Sequence, residues 1–215
     1  MRALVLPILV PLSTAAILLL APKRPLLQRC IALAGSILLL GSTLVVFRRV
    51  EADGIQVLQI SGWPAPFGIT LVADLLAAML GVAVGVVGVA IAVAAFAGVD
   101  PKREAFGYHA LIQILLMGVS GAFLTGDLFN LYVWFEVMLV ASFVLMALHR
   151  TSAQLEAAFK YVAINLIASS IFLTALGLLI TELDRDKCAF AADRAGRRLG
   201  LTHGPTVHRG HAIRG

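Results

Sequence analysis

The sequence predicts an all-α membrane protein of about six transmembrane helices, and three observations carry that reading. Of its 215 residues 60% are hydrophobic and 13% charged, about half the ~25% charged residues of a soluble domain. The mean hydropathy is +0.95. Apolar runs of bilayer length recur along the chain with short polar breaks between them. A hydrocarbon core about 30 Å thick takes roughly 20 apolar residues per helix. That ruler places spans at 3–21, 27–47, 72–98, 106–125, 128–148 and 157–180. The net charge of +5 would suggest a nucleic-acid partner in a soluble protein. Here it falls in loops and a basic C-terminal stretch, so the expected surroundings are a lipid bilayer and no nucleic acid.

The first span reads as an uncleaved helix rather than a signal peptide. Leu19 stands where a small residue should precede cleavage after Ala21, Pro22 would follow the cut, and further spans come after. Pro7 and Pro11 are tolerable inside it because neighbouring helices satisfy the freed backbone groups. In the third span Gly81, Gly85 and Gly88 form a small-residue face suited to close helix packing. Asp74 falls near the outer end of that span as an interfacial carboxylate, and Trp63 in SGWPAPFGI suits the outer interface. Cys30 and Cys188 lie far apart in dissimilar contexts, so neither a disulfide framework nor a metal knuckle is expected. Cys30, in an apolar run, is expected to be a small buried hydrophobe.

Basic residues set the orientation. Lys23, Arg24 and Arg29 follow the first span, Lys102 and Arg103 the third, and Arg150 the fifth, against Arg2, Arg48 and Arg49 on the other side. The positive-inside rule then puts the N-terminus outside a multi-pass protein of the cell (inner) membrane.

The intramembrane polar residues carry the chemistry. Glu136 sits close to the midpoint of its span, too deep for a short side chain to reach water. A charge at that depth costs ~2.5–3.5 kcal/mol on insertion scales. It is either a carboxylate kept for packing or an ion or proton site tuned by burial and a movable cation, and the depth favours the second. Asp127 follows Gly126 and just precedes the span, which suits an N-cap and leaves open a role at an ion entrance. Lys160 lies four residues after Glu156, the spacing of a surface pair, and can also snorkel from its depth. His109, early in the fourth span beside Tyr108 and one turn before Gln113, is either an interfacial histidine or a proton carrier. Counting equal depths across the fifth and sixth spans sets Ser169 and Ser170 level with Glu136 and Asn165 one turn below. These three would suit a hydrogen-bonded water path, or helix packing alone. Tyr132 and Trp134 belong to a helix wall.

Residues 181–215 break the pattern, holding seven Lys or Arg and three of the five histidines. Six spans would leave this stretch outside, where basic residues should be scarce. It is an extracytoplasmic tail, an address or partner segment, or an out-of-frame stretch, and the abrupt change of composition favours the last. His203, His208 and His211 match no standard metal spacing, and no metal is expected.

The run GDLFNLYVWFEVMLVASFVLMAL, then QLEAAFKYVAINLIASSIFLTALGLL, resembles the D subunit of Mrp-type multisubunit Na+/H+ antiporters, itself similar to the antiporter-like membrane subunits of respiratory complex I. LPILVPLSTAAILLL and SGWPAPFGITLVADLLAAML fit the same family, so the resemblance covers residues 1–180. It implies the N-terminal part of a fourteen-helix antiporter-like fold with two inverted five-helix repeats, a chain truncated after its sixth helix, and 181–215 as a separate segment. It also implies that Glu136 matches the family's key glutamate and Lys160 a family lysine, while the glutamate's usual lysine partner belongs to a seventh helix. The expected partners are other membrane subunits of a hetero-oligomeric complex, with H+ and Na+ or K+ as cargo. There is no dinucleotide glycine pattern, cysteine cluster or haem-type histidine pair, so no cofactor and no redox catalysis are expected. Two function classes remain open, a Na+/H+ antiporter subunit and a proton-pumping subunit of a complex I-like quinone reductase or hydrogenase complex, and a third reading is a truncated, non-autonomous fragment without transport activity of its own.

Overall fold

Burying apolar side chains against one another, with each backbone amide satisfied inside its own helix, organises the chain. The computed structural model describes residues 2–22, 24–60, 69–100, 103–104, 106–148 and 152–198. Lys23, Trp63, Lys102, Arg150, His203, His208 and His211 lie outside the described residues, as does the side chain of Cys188. A short 3-10 turn, Arg2–Val5, leads into α1 (Leu6–Leu20). There follow α2 (Pro25–Asp53), a two-stranded hairpin of β1 (Gln56–Gln59) and β2 (Thr70–Ala73), α3 (Leu75–Gly98), α4 (Tyr108–Leu124), α5 (Leu128–Ala147) and α6 (Ser152–Arg198). Among the described residues five stretches are long and apolar enough to cross a bilayer, and α4, at 17 residues, is shorter.

The expected six helices are present with shifted limits. α2 runs past 47 to Asp53, so Arg48, Arg49, Glu51 and Asp53 extend the helix beyond its apolar stretch. The span expected from residue 72 starts at Leu75, because residues 70–73 pair as a strand and Asp74 caps the helix by accepting from the Ala77 amide at 2.7 Å. Asp74 is thus a cap, not merely an interfacial charge. The hairpin was not legible, because four-residue strands carry little periodic signal. α6 continues past 180 to Arg198.

Residues Met1–Phe172 form one compact unit and Leu173–Gly215 a second. Within the first unit the core lies among α1 to α4. Leu4, Ile8, Val46, Val50, Leu71, Ala78 and Leu124 pack as one cluster, and Leu39, Val84 and Leu116 form an apolar layer in the bundle. The glycine face of α3 packs as expected. A Cβ on Gly85 would come within 2.8 Å of Leu40 Cα on α2, and one on Gly88 within 3.0 Å of Leu116 on α4. On α4, Gly118 and Gly121 do the same for α5, admitting Met138 and the Trp134 indole. Cys30, expected buried, is exposed on α2. An apolar run faces lipid as readily as core, so composition alone does not separate the two.

β2 pins the connection that starts α5. The Gly126 amide donates to Thr70 O at 2.8 Å, Leu71 bridges to Thr125, and a Cβ at Gly126 would strike Val72.

Candidate ion and proton site

Asp127 occupies the end of that pinned connection. Its Oδ1 accepts the Phe129 amide at 3.0 Å, the capping that its sequence position suggests. Behind it, Asn130 Nδ2 donates to Thr125 Oγ1 at 2.9 Å, and that hydroxyl donates to Asp127 O at 3.3 Å. The α4–α5 connection is therefore cross-tied on both sides.

Two turns further along α5, Glu136 borders a groove of about 240 Å³ between α5 and α6, lined also by Phe143, Tyr161, Asn165, Leu166 and Ser169. A neighbouring groove of about 320 Å³ continues past Tyr132, Phe135 and Phe172, and Asn165 and Ser169 border both. α6 reaches α5 through side chains: Phe172 stacks on Tyr132 with ring centroids 6.1 Å apart, and Ser142 and Tyr161 oxygens lie 3.3 Å apart. Glu136 Oε1 is buried with no hydrogen-bond partner, and none of the ion pairs among the described residues includes Glu136. Tyr132, one turn earlier, interacts with the Glu136 carboxylate both through its charge and through a side-chain hydrogen bond, so it is Oε1 alone that lacks a partner.

The other sequence candidates divide. Ser169 and Asn165 share the groove with Glu136. Asn165 also donates to Tyr161 O at 2.8 Å. Ser170 is exposed, bonds back to Leu166 O and lines neither groove. Lys160 pairs with Glu156 at 2.6 Å with both side chains about 70% exposed, a surface pair rather than a partner for Glu136.

His109 is buried, 3% exposed, and its Nε2 lies 3.2 Å from Glu104 Oε1 in the α3–α4 connection. Arg29 Nε donates to the same oxygen at 2.6 Å, and Arg29 also reaches Phe96 O at 3.4 Å. Burial alone would raise the Glu104 carboxyl, but the hydrogen bonds and charges of Arg29 and His109 outweigh it and hold the group below the ordinary glutamate range. One turn deeper, buried Gln113 donates to Ala32 O at 3.1 Å and Ser36 Oγ at 3.0 Å, with its own Oε1 unpartnered. The apolar layer of Leu39, Val84 and Leu116 lies beyond. Sequence reading missed this cluster. Glu104 sits in a connection and Arg29 reads as an orientation signal, and their separation of 75 residues hides the pairing.

Fold and groove together define the class, an antiporter-like membrane fold with a groove between two of its helices. Residues 125–185, spanning α5 and the groove face of α6, match the family described as NADH:quinone oxidoreductase/Mrp antiporter, transmembrane. Within that class the likeness is to the D subunit of Mrp-type Na+/H+ antiporters. The chain is 41% identical over 175 residues to the Na(+)/H(+) antiporter D subunit of Bacillus subtilis (strain 168), covering 81% of this chain and 36% of that one. It is 38% identical over 182 residues to the probable K(+)/H(+) antiporter D subunit of Rhizobium meliloti (strain 1021), covering 82% and 33%. Among solved structures, the Mrp complex from Dietzia sp. DQ12-45-1b matches with a TM-score of 0.71 at 29% identity, over 80% of this chain and 33% of that one. The membrane-bound sulfane sulfur reductase, an archaeal respiratory membrane complex, matches with 0.73 at 27%, over 81% and 36%. The chain spans about a third of the length of the curated relatives it matches.

Proposed function

We propose that the chain is a subunit of a multisubunit monovalent cation/proton antiporter and contributes a cation or proton path centred on Glu136. It is a transporter subunit, not an enzyme, with its N-terminus outside the cell membrane and the α3–α4 connection in the cytoplasm. The observation that carries the reading is the unpartnered carboxylate oxygen of Glu136 beside a groove that also holds Asn165 and Ser169. A buried carboxylate without a cation is costly, so its partner is a cation or proton that comes and goes, or a basic side chain brought by the rest of the assembly. Occupancy then changes which partner Glu136 holds, and charge moves stepwise across the midplane. His109 exchanges protons at the opposite end of the α1–α4 bundle from Asp127. Asp127 shapes the start of α5, and Lys160 supplies positive charge on α6. The residues from 181 on form a segment apart from the transport fold.

The test is Na+-driven proton flux in membrane vesicles bearing the whole assembly, normalised to assembled complex. Glu136→Gln preserves shape and most hydrogen-bonding capacity but removes the ionisable group. Flux is expected to collapse with assembly intact; near-normal flux rejects the reading. The respiratory match gives a second reading, a proton-pumping subunit of a complex I-like assembly. Purification of the native complex separates the two. Small hydrophobic antiporter subunits accompany the first, flavin and iron–sulfur subunits the second.

A further inference from the structure

The Arg29–Glu104–His109 cluster joins three separate parts of the fold: the start of α2, the α3–α4 connection and the start of α4. Glu104 and His109 are each 3% exposed, Arg29 17%. A carboxylate has no proton to give, so a ring nitrogen facing it at 3.2 Å must carry the hydrogen. With Nε2–H held on Glu104 Oε1, the neutral ring is fixed in one tautomer and Nδ1 is the nitrogen that gains or loses a proton. Arg29 on the same carboxylate oxygen keeps Glu104 from taking that proton itself.

We propose that Glu104, held in place by Arg29, is the positioning residue for proton exchange at His109, with Nδ1 as the exchanging atom. Uptake makes one N–H bond at Nδ1 and leaves Nε2–H on Glu104, and release reverses it. The apolar cluster of Leu39, Val84 and Leu116 lies beyond Gln113, and the exchange is assigned to the Arg29 end. The inference rests on the transport reading for its use, but the chemistry of the cluster is separable from it.

The other charged or titratable groups on elements packed against His109 are few among the described residues. α2 brings Arg24, Arg29 and the free thiol of Cys30 at this end, the connection brings Asp100, Arg103 and Glu104, and Tyr108 meets the ring edge-on with centroids 5.3 Å apart. α1 and α3 carry none, and those of α5, Tyr132 and Glu136, fall in its first half, away from this end.

The two partners act on His109 with opposite signs. Removing the Glu104 charge disfavours the imidazolium, so Glu104→Gln moves the protonation midpoint of His109 to lower pH. Removing the Arg29 charge favours the imidazolium, so Arg29→Gln moves it to higher pH. Arg29→Lys, which keeps the charge, stays near wild type. The readout is the pH midpoint of deuterium uptake at the His109 ring C2 position, measured by mass spectrometry on the chain in its native membrane complex. A merely structural cluster lowers the yield of every variant without opposed shifts. Opposed shifts establish the proposal. Unmoved midpoints, or shifts of one sign, overturn it. If Glu104→Gln fails to assemble, Arg29→Gln decides alone: an upward shift supports the assignment and an unmoved midpoint rejects it. Vesicle flux with Glu136→Gln tests the transport reading separately, since it leaves the His109 midpoint where it is.

Discussion

Asp127 and Glu136 are carboxylates on one helix, and their surroundings assign them different work. Asp127 spends its oxygen on a backbone amide at the first turn, where the helix dipole favours negative charge. Glu136 faces a groove and has an oxygen that nothing in the described residues satisfies. The contrast has a measurable consequence at Asp127. Asparagine caps as well as aspartate, so Asp127→Asn should leave thermal stability of the assembled complex near wild type, whereas Asp127→Ala should cost ~0.5–2 kcal/mol. Equal losses for both would show that the charge, not the cap, is what matters there. The cap position of Asp127 was legible because it depends only on place within one helix. The burial of His109 was not, since it depends on Glu104 and on Arg29, 75 residues from Glu104 in sequence.

At the scale of elements, close approach through glycine holds the bundle together. Gly85 lets the α2 backbone come so near that an added methyl would meet Leu40 Cα, which cannot rotate away. Gly41, also within a helix, has nothing within 4 Å of an added Cβ. Gly85→Ala should therefore lower stability by about 1–3 kcal/mol through overpacking. Gly41→Ala should leave it unchanged or raise it by up to ~1 kcal/mol through helix propensity. Thermal melts of the two variants side by side check this, and a larger loss for Gly41→Ala would contradict the packing account. The helices themselves were readable from apolar runs of bilayer length, and so was the glycine face of α3. Their ends were less so: charged residues prolong α2 and α6 beyond their apolar stretches, and the short hairpin before α3 pairs through its backbone rather than through any side-chain pattern.

Across the whole molecule, burial is uneven. The first apolar stretch, Ala3–Leu20, is 44% buried, while α5, which carries Glu136, is 11% buried. Beside the groove that Glu136 borders, Phe159, Ile164 and Ile167 of α6 are more than 60% exposed. Such a surface suits lipid or a packed helix. The central claim is that Glu136 matters as an ionisable group and not as a shape. Glutamine copies the shape of glutamate and lacks the charge; aspartate keeps the charge and falls one methylene short. Na+-driven proton flux should therefore be compared between Glu136→Asp and Glu136→Gln at equal amounts of assembled complex. A substantial residual flux with aspartate and none above background with glutamine is the expected result. Glutamine matching or exceeding aspartate would contradict the account.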